Sequence, residues 1–353
     1  MDSRDESLTE LVQQSLYDIK QDGVPPRQVA EYYRTRAAGG VGLIVSEGVV
    51  IERPSAKNDP LVPHMYDDEA LGGWARVIGA VHGAGGRMAP QLWHLGPRLE
   101  PGGTSWVAPP PIDSASGLRD WTLPRIAPMT EEAIADTLAA YGRAAANAVR
   151  LGFDAIEIHG AHGYLIDDFF WSVSNTRTDR WGGATLRERA RFGAAVVAAI
   201  RAEMPDEMPL IFRLSQWKGI DYDAQVARSP AEMADWLEPL TDAGVDCFHC
   251  SQRRFWEAAF DGSDLNLAGW SKSLTGLPTI TVGSVGLSSE FIGGGVSTPT
   301  PLDEVVRRLE RGDFDLVAVG RALLADPFWL EKLRAGRTDE FLAYDPSMRA
   351  TLT

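Results

Sequence analysis

Ala155-Ile156-Glu157-Ile158-His159, running directly into Gly160-Ala161-His162-Gly163-Tyr164-Leu165-Ile166-Asp167-Asp168-Phe169-Phe170, is a short apolar run that ends on a cluster of polar side chains. Helical patterns flank it near 131–151 and 184–204, which makes the stretch one strand in a helix–strand–helix alternation. The alternation continues in both directions. Strand candidates are Val41–Ser46, Met88–Trp93, Ala155–His159, Leu210–Leu214, Asp246–Cys250, Thr279–Val282 and Leu316–Val319. Helical segments lie near 27–38, 68–83, 131–151, 184–204, 230–243, 301–311 and 327–335. Their starts have chemical causes. Ser229-Pro230-Ala231-Glu232 and Thr300-Pro301-Leu302-Asp303 each offer a capping hydroxyl, a proline in the first turn and an early acid. Thr185-Leu186-Arg187-Glu188 reads as a capping box.

Short apolar strands separated by helices are buried on both faces and pair in parallel. Seven such units over 353 residues point to an α/β fold of the closed (β/α)8 type, a TIM barrel, rather than an open sheet. No glycine-rich dinucleotide fingerprint follows the first candidate strand, which weakens the open alternative. One strand is missing from the pattern. Upstream of Val41 the ordered pattern is Leu8, Leu11, Val12, Leu16 and Ile19 at helical spacing, behind a capping box at Ser7-Leu8-Thr9-Glu10. The expected organisation is therefore an atypical helical segment at 1–22, a barrel over 23–335 and a polar tail at 336–353. The stretch Gly96–Met129, rich in Pro, Gly and Trp, is too long for a plain connection and reads as a lid.

Composition narrows the function. The net charge of −15 argues against nucleic acid and against an anionic membrane surface. The longest apolar run, Phe192–Ile200, falls well short of the ~18 residues of a membrane span. Asp2, Asp5, Glu6 and Glu10 leave no apolar signal region, and two Cys make no disulfide framework, so a cytoplasmic protein is expected. Cys247 and Cys250 lie three apart on a candidate strand and point to opposite faces, which rules out a bridge or a redox pair.

The chemistry concentrates at the end of the third strand. In a barrel, that end lies at the mouth where catalysis takes place. His159, His162 and Tyr164 arrive there within six residues, spaced by glycines that permit close approach. Imidazoles donate N–H bonds to a carbonyl oxygen and a phenol delivers a proton. His159 to Tyr164, followed by Asn175-Thr176-Arg177-Thr178-Asp179-Arg180-Trp181-Gly182-Gly183, resembles the Old Yellow Enzyme family of flavin-dependent ene-reductases. Pro90-Gln91-Leu92-Trp93-His94, Phe212-Arg213-Leu214-Ser215, Val282-Gly283-Ser284-Val285-Gly286 and Val319-Gly320-Arg321-Ala322 extend the resemblance in the family's order, from about Gly23 to about Trp329. Trp181 stands where the family more often has Tyr.

The resemblance implies a barrel that binds FMN, is reduced by NADH or NADPH and reduces an enone. Carried over by position, His159 and His162 would grip the enone oxygen and Tyr164 would protonate the α-carbon. Gln91 and Arg213 would meet the flavin ring, and Gly283, Gly320 and Arg321 the phosphate. No metal is implied, and two Cys do not make the four-Cys cluster of the iron–sulfur relatives. Asn175, Arg177 and Asp179 are expected to order a loop. Two other readings stand beside this one. A catalytically impaired, flavin-poor barrel acting as a binding or interaction protein would follow from the missing strand. A metal-dependent hydrolase would use His159, His162 and Asp167 or Asp168. A homo-oligomer is compatible with all of them, and the sequence does not choose the enone or the nucleotide.

Overall fold

The computed structural model describes residues 23–97, 108–118, 126–219, 221–290 and 295–350. The N-terminal segment 1–22, parts of the 96–129 stretch with Trp106 and Trp121, and residues 351–353 lie outside the described residues. Seven strands run in parallel: β1 Leu43–Val50, β2 Arg87–Trp93, β3 Ile156–His159, β4 Leu210–Ser215, β5 Cys247–Ser251, β6 Thr279–Val282 and β7 Leu316–Val317. Their order in the sheet is their order in the chain. Each is one of the seven apolar runs of the sequence, with ends shifted by a few residues.

Helices α1 Arg27–Ala38, α2 Asp68–Gly83 and α3 Glu131–Leu151 fall where the periodicity puts them. The segment at 184–204 is instead two helices, α5 Leu186–Arg189 and α6 Arg191–Arg201, after a short α4 at Leu165–Phe170. The break follows Arg189, whose buried guanidinium is tied to the carbonyls of Phe170, Gly183 and Ala184. The Thr185 capping box forms, as does the Ser229 cap of α7 Pro230–Asp242. Between the fifth and sixth strands, where the periodicity marks no helix, lies α8 Leu267–Thr275, capped by Asn266. The Thr300 cap does not form. Thr300 N donates to Gly286 O (3.0 Å), so α9 Asp303–Arg311 begins three residues later, with Leu302 before it. Short helices α10 Arg321–Ala325 and α11 Trp329–Arg334 follow, and then 3-10 turns at Thr338–Glu340 and Pro346–Ala350.

The period of two along each strand sorts the inward side chains into tiers. Leu43, Ala89, Ala155, Ile211, Cys247, Ile280 and Ala318 make a small apolar cluster inside the sheet. Two residues further along β2, β3, β4 and β5 stand Gln91, Glu157, Arg213 and His249, all buried. Two further again come Trp93, His159, Ser215 and Ser251. Outward positions such as Ile158, Phe212, Phe248 and Cys250 join the main core under the helices, where Trp236 meets Phe170 edge-on at 5.4 Å. Cys247 and Cys250 thus belong to different clusters, and both thiols are free.

Among the described strands, β1 and β7 have one neighbour each and do not pair, so the barrel is open there. A closed barrel of this type takes eight strands, and the gap lies where the sequence lacks one. A cavity of about 610 Å³ opens between β1 and β7, bordered by Leu43, Val45, Leu309, Leu316 and Val319. Leu316 on β7 is 51% exposed. Replacing Leu316 by Lys is therefore expected to change unfolding free energy by no more than about 0.5 kcal/mol, the range of exposed sites. Urea denaturation checks this; a loss above about 2 kcal/mol would show that β7 is covered.

Candidate active site

His159 ends β3 and the chain then bends across the neighbouring strand. Gly160 allows this bend: its N–H donates to Arg213 O (2.9 Å), and a Cβ there would come within 2.4 Å of the Phe212 ring. His162 follows with φ +62°, a left-handed conformation unusual for a side chain with a Cβ. Its surroundings hold it. His162 N donates to Ser215 Oγ (2.9 Å), Gly219 N donates to His162 O (3.2 Å), and Nε2 bonds Ser251 Oγ (2.8 Å). The Trp217 ring stacks on the imidazole with centroids 4.3 Å apart.

Tyr164 precedes α4 with extended backbone, which turns its side chain back toward the two imidazoles. Ring centroids lie 5.0 Å apart for His159 and His162, 4.9 Å for His159 and Tyr164 and 6.5 Å for His162 and Tyr164. Trp93 closes on Tyr164 at 5.1 Å. All three predicted reactive side chains are thus brought together and buried. Two imidazoles and a phenol converging on one point suit an oxygen that gains negative charge and an atom that needs a proton.

Asp167 and Asp168 are committed elsewhere, which removes the ligands a metal-dependent hydrolase would need. Asp167 accepts from Lys218 Nζ at both of its oxygens (2.5 and 2.6 Å) and from Gly163 N (2.6 Å). Burial lifts the Asp167 carboxyl and depresses the Lys218 ammonium, against the attraction of each for the other. Asp168 accepts from Ala115 N (2.7 Å) and Ser114 Oγ (3.3 Å). Among the described residues no group of three or more His, Cys, Asp or Glu is placed to hold a metal ion.

Below this cluster lies the polar tier of the barrel. Gln91 Nε2 donates to Glu157 Oε1 (2.6 Å), and Glu157 Oε2 meets His249 Nδ1 at 2.7 Å. Burial alone would raise the Glu157 carboxyl, but His249, Arg213 and Gln91 outweigh it and hold the group below its ordinary value. The residues that the resemblance assigns to a flavin fit such a ligand. Gln91 Oε1 is buried without a hydrogen-bond partner. Gly283 has φ +134°, and a Cβ there would strike Gln252 O at 2.4 Å. The cavity between β1 and β7 reaches Gln91, Arg213 and Gly320. Its size is within the ~300–1,000 Å³ of ligand pockets. Arg321 is buried beside Gly320 and donates from Nη2 to Ser289 O (2.6 Å) and Ser284 Oγ (3.3 Å). His159, His162 and Tyr164 are not among the residues that line this cavity.

The described part of the 96–129 stretch is strapped to the mouth. Arg53 makes two bonds to Asp113 (2.8 and 3.0 Å), and His94 Nε2 adds a third (2.9 Å), holding the Asp113 carboxyl at about 2 despite its burial. His94 Nδ1 accepts from Gly96 N, so this imidazole is fully engaged in structure. Arg177 donates to Ala115 O and Met129 O and pairs with Asp179, while Asn175 donates to Phe169 O and Trp181 O. These loop residues order the mouth, as expected. His249, Ser251, Trp217 and Lys218 were not singled out by sequence reasoning. The period of two along Cys247-Phe248-His249-Cys250-Ser251 signals that His249 and Ser251 face inward, whereas no local signal marks Trp217 or Lys218.

The profile of the NADH:flavin oxidoreductase / NADH oxidase family matches residues 12–340. The chain is 32% identical over 332 residues to an NADH oxidase of Thermoanaerobacter brockii, covering 91% of this chain and 47% of that one. It is 32% identical to 12-oxophytodienoate reductase 7 of Oryza sativa subsp. japonica, covering 88% of this chain and 80% of the relative. The chain thus spans about half the length of the first relative and four fifths of the second. Among solved structures, morphinone reductase superposes with a TM-score of 0.75 at 26% identity, over 94% of this chain and 86% of that one.

Asp168 makes the mouth sensitive to pH. Burial, assisted by the nearby Asp167 charge, lifts its carboxyl from the usual 3.8 to about 7, although bonds from Ala115, Ser174 and Ser114 pull the other way. The folded value is raised, so the stability carried by the neutral form is complete below the ordinary carboxylate range. It is lost as pH rises through about 7. Replacing Asp168 by Asn keeps the group neutral throughout. The expected result is a variant more stable than the parent at pH 8, by roughly 1–4 kcal/mol, with the two converging toward pH 4. Thermal melts across this range check it; parallel curves would contradict the assignment.

Proposed function

The chain belongs to the NADH:flavin oxidoreductase / NADH oxidase family, to which the Old Yellow Enzyme ene-reductases are related, and from that premise we propose that it reduces the carbon–carbon double bond of an α,β-unsaturated carbonyl compound. The observation that carries this reading is the convergence of His159, His162 and Tyr164 at the end of β3. Two relatives are named as reductases of 12-oxophytodienoate and of morphinone, which supports a conjugated carbonyl substrate.

FMN, when bound, supplies hydride transfer from NADH or NADPH to the β-carbon of the alkene. Gln91 and Arg213 would hold its ring, and Gly283, Gly320 and Arg321 its phosphate. The rest of the work falls to side chains of this chain. His159 and His162 donate N–H bonds to the substrate's carbonyl oxygen. Those bonds strengthen as negative charge grows on that oxygen, so they favour the transition state over the ground state. Ser251 and Trp217 fix the angle of the His162 ring. Tyr164 delivers its phenolic proton to the α-carbon. Burial of all three keeps water from competing for the same oxygen and carbon.

The open side between β1 and β7 favours a second reading, in which the barrel retains little flavin and acts by binding rather than turnover. The visible absorption spectrum of the purified protein separates the two. Protein reconstituted with FMN is expected to consume NADH or NADPH in the presence of cyclohexenone; no turnover under those conditions refutes the reductase reading.

Replacing Tyr164 by Phe is expected to slow flavin oxidation by the enone by ~10²–10⁴-fold and to leave flavin reduction by the nucleotide nearly unchanged. Stopped-flow separation of the half-reactions decides this. Slowing confined to the reductive half contradicts the role. Replacing His159 and His162 together by Ala is expected to abolish the charge-transfer absorption of a phenol stacked on bound flavin. Retained phenol affinity in that variant would make the pair structural.

A further inference from the structure

We propose that Lys218 is a positioning residue for this site, acting through Asp167 to hold the left-handed His162 where it meets the substrate oxygen; this rests on the reductase reading. Lys218 lies in the loop after β4 and is fully buried. Its Nζ reaches both carboxylate oxygens of Asp167, and Asp167 Oδ2 in turn accepts from Gly163 N (2.6 Å). The backbone of Lys218 bridges His162 and closes a turn with Asp221, Lys218 N to Asp221 O being 2.9 Å.

The Lys218 segment therefore grips both flanks of the strained residue. Ser215 takes the N–H of His162, Gly219 gives its N–H to the His162 carbonyl, and Asp167 takes the N–H of the next residue. A left-handed non-glycine residue persists only where the surrounding structure determines it several times over. Trp217, the neighbour of Lys218, stacks on the ring itself, so the same short loop sets both backbone and side chain of His162. Lys218 Nζ, bonded to both oxygens of Asp167, adds to this a fixed position for the carboxyl that accepts from Gly163 N.

The test uses Lys218→Met and the double variant Lys218→Met/Asp167→Asn. The single change strands a buried carboxylate and can prevent folding. The double variant removes both charges together and keeps an amide acceptor facing Gly163. In protein carrying 13C-labelled histidine, the His162 ring signal of the double variant is expected to shift while that of His94 stays in place. With FMN bound, oxidation by cyclohexenone is expected to slow by about 10–100-fold, the cost of misplacing a reacting group by about 1 Å, with reduction by NADH or NADPH within about twofold of the parent. An unmoved His162 signal, or an unchanged oxidative half-reaction beside an active parent, overturns the proposal. A parent inactive on enones whose His162 signal still shifts in the double variant counts against the reductase reading and for the positioning role.

Discussion

A carboxylate buried inside a parallel sheet must be met by cations and donors, and Glu157 sets that demand at the centre of this molecule. Leaving it unmet would cost several kcal/mol. Three different strands answer it: Gln91 on β2, Arg213 on β4 and His249 on β5. Because side chains alternate along a strand, fixing these positions inward fixes every other inward position on the same strands. The small apolar tier beneath and the tier of His159, Ser215 and Ser251 above follow from that one alignment. The reactive loop is then laid over a floor whose height is already decided.

The two sides of the mouth are built differently. On the side of β2 to β4, Arg53, Asp113, His94, Arg177 and Asp168 tie distant segments together by bonds that are buried or partly buried. On the side of β7 and β1, the cavity that Gln91 and Arg213 reach is bordered by apolar side chains, of which Leu309 and Leu316 are exposed. The groups proposed to place a carbonyl oxygen are accordingly held tightly, and those that would hold a flavin ring border open space.

Much of this was legible in the sequence. The strands read clearly because a strand covered on both faces is a short unbroken apolar run, and α1 to α3 read clearly because amphipathic period and turn chemistry agree there. Helix α8 escaped because Leu267-Ala268-Gly269-Trp270-Ser271-Lys272 carries no strong helical preference; it is held by the Asn266 cap and by packing against β5 and β6. His159, His162 and Tyr164 stood out as polar groups spaced by glycines at a strand end. Their supports did not. Ser251 is 89 residues from His162, His249 is 92 from Glu157, and Lys218 is 51 from Asp167, so only the folded chain reveals the pairings.

The chain-order arrangement of the sheet bears on how the molecule is assembled. Each strand from β2 to β6 pairs with the strand before it and the strand after it, and no pairing among the described strands brings β1 to β7. A closed barrel must join its two ends, a loop closure spanning almost the whole chain whose entropy has to be met before any contact repays it. The strands β1 to β7 require no such closure. The widest of their pairings joins β2 to β3, with Gln91 and Glu157 66 residues apart, and each unit adds to an edge already formed. The described sheet can therefore grow as a ribbon grows, one strand and one helix at a time, in the order in which the ribosome delivers them.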